Sequence, residues 1–181
     1  MFDSELITLN IQREAEEFLR SELARSSSSD HQRVIEKFVL AALGSIPWIG
    51  GFLSAAAALK TEESASRADN LRTRWLEEHA RKLASLRNTI NTIVGRFGDL
   101  GREIDERIQS ESYLRLVRRS FRVWDEAATE EKRSYVGNVV ANSAGTRLCS
   151  DDVVRLFLDW LNTYHESHFA VIRTIYNKSG I

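Results

Sequence analysis

The sequence predicts an all-α fold: a helical bundle with a long heptad-patterned central helix and a buried apolar helical hairpin. Three observations carry that expectation. No segment sustains the period-two alternation of β-branched residues that a half-buried strand needs. Apolar residues instead recur at steps of three and four along much of the chain. There is one proline among 181 residues, and helix interiors tolerate proline poorly. The length suits a single helical domain over 1–181, divided into N-terminal helices and the apolar hairpin (1–59), the long helix (60–109) and C-terminal helices (110–181).

Taken in order, residues 4–25 read as a helix with Ser4 as its cap and Leu6, Leu9, Phe18 and Leu23 among charged neighbours. The run SSSSD at 26–30 breaks it, and Asp30 is a good N-cap for a second helix with Val34, Phe38 and Ala41 on one side. That helix runs into FVLAALGSIPWIGGFLSAAAAL (38–59), 22 residues without a charge. As one straight helix the stretch would be about 33 Å long, enough to cross a bilayer core. Its middle argues otherwise. Gly44 is a helix stop, Pro47 pushes Ile46 towards an extended conformation, and Gly50 and Gly51 follow. The expected form is two apolar arms joined at a tight corner and covered by neighbouring helices. Phe38, Leu43, Ile46, Pro47, Trp48, Ile49, Phe52 and Leu53 are the hairpin's candidate contacts to a membrane or a partner, should it leave the bundle.

From about Thr61 a long helix follows. Leu76, Leu83, Ile90, Phe97 and Ile104 lie seven apart, and Leu86, Ile93 and Leu100 fill the intermediate positions. This is a heptad seam with His79 in place of an apolar residue near its start. It predicts self-association, with a dimer favoured. Glu63/Arg67, Glu77/Arg81, Glu78/Lys82 and Glu103/Arg107 are spaced for surface ion pairs. An unbroken helix of about 45 residues would run about 70 Å, so it is expected to bend, break or project. Gly95, Gly98 and Gly101 mark either a kink or a close approach by a second helix.

Residues 111–125 form an amphipathic helix with Leu114, Val117, Phe121 and Trp124 on its apolar face. Arg115, Arg118, Arg119 and Arg122 share the other side, a candidate surface for phosphates, lipid headgroups or an acidic partner. Thr129 caps the next helix, which Gly145 ends. Ser150 caps the last helical region, where Phe157, Leu161, Tyr164, His168, Val171 and Ile175 form one stripe at alternating steps of four and three.

The chemistry-bearing residues do not assemble into a catalytic, cofactor-binding or metal constellation. His165 and His168 lack further ligands of the number zinc requires. Cys149, alone in the chain, has no base placed beside it and cannot form an internal disulfide. GRFGDLG (95–101) has spaced glycines but no preceding strand. The net charge is −1. Basic and acidic residues number 5 and 8 over 1–59, 14 and 11 over 60–125, and 6 and 7 over 126–181. That balance gives no strong footprint for nucleic acid. The first residues carry acidic side chains where a secretory signal would place basic ones, and the cytoplasm is the expected compartment.

The segment EEKRSYVGNVVANSAGTRLCSDDVVRLFLDWLNTYHESHFAVIRTIY resembles bacterial all-helical phage-defence proteins of the abortive-infection alpha type. The matching residues are Lys132, Tyr135, Asn138, Ala141, Asn142, Phe157, Leu161, His168, Val171, Ile172 and Ile175. The resemblance spans about a quarter of the chain. It implies an interaction protein whose hairpin engages a membrane or a partner on activation. HFAVIRTIYNKSGI is similar to the opening helix and turn of a winged-helix domain, which implies the alternative of a dimerisation domain from a transcriptional regulator.

Overall fold

The computed structural model describes residues 13, 17, 30–52, 69–145 and 149–178, with the side chains of 69–73 and 76 outside that description. Among the described residues all regular structure is helical. Arg13 and Glu17 belong to a helix and approach to 3.9 Å. The remainder of the 4–25 helix, the SSSSD break before Asp30, Leu53, the second arm of the hairpin, the Leu76 side chain and the Glu63/Arg67 pair lie outside the described residues.

Helix α1 (Asp30–Leu43) buries Val34, Phe38, Val39, Ala42 and Leu43. Its exit is the expected corner. The Gly44 amide closes onto the Leu40 carbonyl at 2.9 Å, and a Cβ at Gly44 would stand 3.0 Å from that same oxygen. The Ser45 hydroxyl donates to the Ala42 carbonyl at 2.7 Å. Beyond the corner a helical turn over 48–52 returns Ile49 and Phe52 to the core, with Ile46 buried before it and Pro47 at the surface.

Helix α2 (Asp69–Leu100) is 32 residues long, or about 48 Å. It does not continue to residue 109. Gly101, at φ 71°, is the one described residue with positive φ, a conformation that glycine adopts at little cost. A 3₁₀ turn (Gly101–Ile104) and the short α3 (Asp105–Gln109) follow. Gly95 and Gly98 do not mark a close approach by a second helix. The helix continues past both, and a Cβ on either would meet nothing within 4 Å.

Helix α4 (Glu111–Glu126) starts at Ser110, whose hydroxyl accepts from the Tyr113 amide. It packs against α1, α3, α5 (Glu130–Gly145) and α6 (Asp151–Thr163). Phe38 of α1 meets Phe97 of α2 and Phe121 of α4 edge-on at 5.0 and 6.2 Å, an arrangement aromatic quadrupoles favour. Burial pushes the Tyr113 phenol well above its ordinary pKa, so it stays protonated and donates to the Val140 carbonyl at 2.8 Å. Helix α5 runs beside α2 in the same direction. Ser85 bonds Glu130 at one end, and at the other Gly145 lies so close to Leu100 that an added Cβ would sit 2.6 Å from it.

The α2 seam is a core element of this chain. Leu83, Leu86, Ile90, Ile93 and Phe97 are fully buried, covered by other helices of the same molecule. This corrects its expected role as an intersubunit surface. Leu100, at the end of α2, is exposed, and Ile104 is buried on the 3₁₀ turn. The heptad spacing is satisfied from within because α1, α4 and α5 offer apolar faces of their own. The predicted surface ion pairs are also redirected. Arg81 reaches only the Glu77 carbonyl, Lys82 pairs with Asp125 at 2.5 Å, and Arg107 pairs with Asp151.

Candidate interaction surface

Helix α6 is apolar on two sides. Val154, Leu158 and Leu161 point into the bundle, while Val153, Leu156, Phe157 and Trp160 lie outside. Residue 164 is extended, at φ −81° and ψ 141°, so the last helical region is two helices. The second, α7 (Glu166–Lys178), has no buried residue. This overturns the single core stripe expected over 157–175. Leu161 is inside, Tyr164 is half-buried, and Phe157, His168, Val171 and Ile175 are exposed.

A chain of rings joins the two helices. Phe157 meets Trp160 at 5.2 Å, Trp160 stacks with Tyr164 at 6.2 Å, Tyr164 lies 6.2 Å from Phe169, and Phe169 reaches Tyr135 of α5 at 5.5 Å. His168 stacks on Tyr164 at 5.2 Å, and its Nδ1 accepts from the His165 amide at 3.1 Å. The His165/His168 pair is thus a local helix cap.

Polar contacts hold α7 to α5. The Arg173 guanidinium bonds both Glu131, at 2.7 Å, and the Tyr135 phenol, at 2.5 Å. The phenol in turn donates to Glu131 at 2.6 Å. Those bonds, the phenol's first and then that of Arg173, hold the Glu131 carboxyl below the ordinary carboxylate range, and the bond to Glu131 raises the Tyr135 pKa. Glu166 is held low by its own backbone amide and then by the Thr129 hydroxyl, 2.9 Å away.

The outer sides of Val153, Leu156, Phe157, Trp160, Val171, Ile172, Ile175 and Tyr176 are 39–63% exposed. Exposed large apolar side chains thus recur along both helices rather than standing singly, as scattered surface hydrophobics do. A 13-residue helix is marginal by itself in water, so α7 depends on what covers its faces.

The other sequence candidates fall into two groups. The hairpin residues Phe38, Leu43, Ile46, Ile49 and Phe52 are buried, with Pro47 exposed and Trp48 half-buried. Trp48 is pinned, because its indole N–H donates to Asp125 at 2.7 Å and Lys82 sits over its ring. His79, the polar member of the heptad, stacks on Trp75 at 4.1 Å beside them. The arginine stripe is half engaged by the chain itself. Arg118 pairs with Glu111 and Arg119 with Asp159, which leaves exposed Arg115 and Arg122 without an ion pair among the described residues.

Cys149 is exposed beside the Arg107–Asp151 pair. Among the described residues no three His, Cys, Asp or Glu side chains converge as metal ligands, and no helix is long and apolar enough to cross a membrane. Sequence reasoning missed the outer face of α6 and α7. Its signal was there in the two apolar sides of α6. Comparison with protein-family models, curated proteins and solved structures gives no match to this chain.

Proposed function

We propose that this chain is a non-enzymatic helical interaction protein that pairs with a second copy of itself through the outer face of α6 and α7. The observation that carries the reading is the apolar area on that face. Eight large apolar side chains exposed on two consecutive helices are the composition of an interface core, which favours aromatic and aliphatic residues over charged ones. Charge supports a second copy as the occupant. Antiparallel pairing centred on Ile172 brings each copy's Glu166 level with the other's Lys178. The single cysteine fits a reducing compartment such as the cytosol.

Release of the 38–59 hairpin, the membrane-active step of a defence effector, is the weaker reading on energetic grounds. Exposing Phe38, Leu43, Ile46, Ile49 and Phe52 at about 1.5–3 kcal/mol each amounts to on the order of 10 kcal/mol. That is comparable with the whole stability of a domain, so release would dismantle the core.

Sedimentation equilibrium tests the proposal. The chain is expected to dimerise in the micromolar range, and Ile172→Glu to be monomeric with the thermal midpoint that the parent shows when diluted below its dissociation constant. A strict monomer at about 100 μM, a concentration at which specific dimers are formed, overturns it. So does an Ile172→Glu variant that remains dimeric.

A further inference from the structure

Between α2 and α5 lies an open cleft of about 420 Å³, within the size range of small-molecule sites. Its walls are polar, which is unusual for the junction of two helices that elsewhere meet through small and apolar side chains. Close approach sets its floor: a Cβ on Gly137 would stand 3.2 Å from the Thr89 methyl.

One end of the cleft is cationic. Arg133 is fixed there by Glu130, by the Ala127 carbonyl at 3.1 Å and by the Trp124 ring beneath it at 5.1 Å. Its Nε is buried without a hydrogen-bond partner. Arg81 faces the same end, exposed and with no ion pair among the described residues. Two guanidiniums against the one Glu130 carboxylate leave an excess of positive charge.

Away from that end the lining changes to hydroxyls and amides. The Thr92 hydroxyl donates to the Asn88 carbonyl at 2.8 Å and so offers a ligand lone pairs only. The Thr89 hydroxyl donates to the Ser85 carbonyl and accepts from the Trp124 indole, each at 3.1 Å, so the chain itself already engages it. The exposed side chains of Asn88, Ser134 and Asn138 have no protein partner among the described residues and offer both donors and acceptors. Such a surface matches a molecule with one anionic group and several hydroxyls, which donate to Thr92 and accept from the amides.

We propose that the α2–α5 cleft binds a small polyhydroxylated anion, with its charged group on Arg81 and Arg133 and its hydroxyls along Thr92, Ser134 and Asn138. A sugar monophosphate and a sugar acid share this chemistry. The site involves neither α6 nor α7, so it stands or falls independently of self-association.

The test is a ¹⁵N-HSQC titration of the full chain with glucose 6-phosphate, gluconate, glucose and inorganic phosphate, each to about 10 mM, which saturates a site of about 1 mM affinity. Expected are saturable shifts at Asn88, Ser134, Gly137 and Asn138 with one or both of the charged sugars, at least about tenfold tighter than with glucose or phosphate. Which charged sugar binds more tightly identifies the anionic group. Arg81 is exposed, so Arg81→Gln is expected to fold normally and to weaken binding about tenfold, as loss of a charge-assisted contact should. Asn138→Leu tests the hydroxyl end without touching charge and is expected to weaken the sugars while leaving inorganic phosphate unchanged. The proposal is overturned if no probe shifts those amides. It is equally overturned if phosphate alone binds as tightly as the charged sugars, or if both variants bind like the parent.

Discussion

In α4, Tyr113, Val117, Phe121 and Trp124 are fully buried; in α7, Val171, Ile172, Ile175 and Tyr176 are more than half exposed. Both helices carry apolar residues at steps of three and four, and both begin with an acidic residue in the first turn. The difference lies in their neighbours. Helix α4 is packed by α1, α3, α5 and α6, whereas the contacts that join α7 to α5 among the described residues are a ring contact and a polar cluster. An amphipathic pattern states that a face is to be covered. Whether the cover comes from the same chain depends on geometry outside the segment.

The largest effect that tests this contrast is truncation on either side of it. Phe121→Ala is expected to cost about 3–5 kcal/mol, because it empties a fully buried site beside Phe38. Ile172→Ala is expected to change the monomer's stability by less than about 0.5 kcal/mol while weakening the dimer. Urea denaturation below the dimer's dissociation constant separates the two, and equal losses would erase the distinction between the helices. Next in size is Asp125→Ala, which removes the acceptor of the Trp48 indole and the carboxylate partner of Lys82. Lys82 keeps its bond to the Asp125 backbone carbonyl, but the part-buried indole is left unmet, which is expected to cost about 1–3 kcal/mol and to shift Trp48 emission to the red. Unchanged emission would mean that the hairpin tip is held by packing alone.

Much of this architecture was legible because local physics decides it. Gly44, Ser45 and Pro47 end α1 whatever surrounds them, Ser110, Thr129 and Ser150 cap their helices, and the 83–97 apolar spacing demands burial. What periodicity does not encode is which molecule does the burying, and so Leu83 to Phe97 read as a seam between copies and Val171 to Ile175 as core. The break at Tyr164 was hidden because steps of four and three continue across it by coincidence of spacing. The α2–α5 cleft was illegible for a different reason. Its residues are ordinary surface types at positions 81–92 and 130–138, and only the parallel placement of two helices brings them together.

The glycines of α2 sharpen the contrast between local and tertiary control. Gly101→Ala is expected to destabilise by about 1–2 kcal/mol, since an L residue at φ 71° is strained. Gly98→Ala is expected to stabilise by about 0.5–1 kcal/mol, because open space surrounds it inside a helix. Opposite signs three residues apart confirm that the long helix stops at residue 100 for a backbone reason. Two stabilising results would mean that it extends through 101 in solution.

The smallest expected effect concerns the polar anchor of α7. Glu131 and Glu166 have folded pKa values below the ordinary carboxylate value of about 4.3. The unfolded chain therefore binds their protons more readily, and their contribution is complete above that value and lost as pH falls through the folded pKa values. Tyr135 has the opposite sign on the alkaline side. Its raised pKa keeps the bond to Glu131 intact below the ordinary tyrosine value of about 10 and loses it as pH rises through the folded pKa. The anchor should thus be flat between about pH 5 and 10 and weaken on either side. Because both carboxylates are at the surface, the effect should be confined to α7. Amide-exchange protection in α7 is expected to fall between pH 7 and pH 3.5 more than that in α4, and Tyr135→Phe should reduce the part that depends on Glu131. Parallel losses in α4 and α7 would show that acid acts on the whole bundle, and that α7 is bound to it by more than the contacts of Glu131, Tyr135, Glu166 and Arg173.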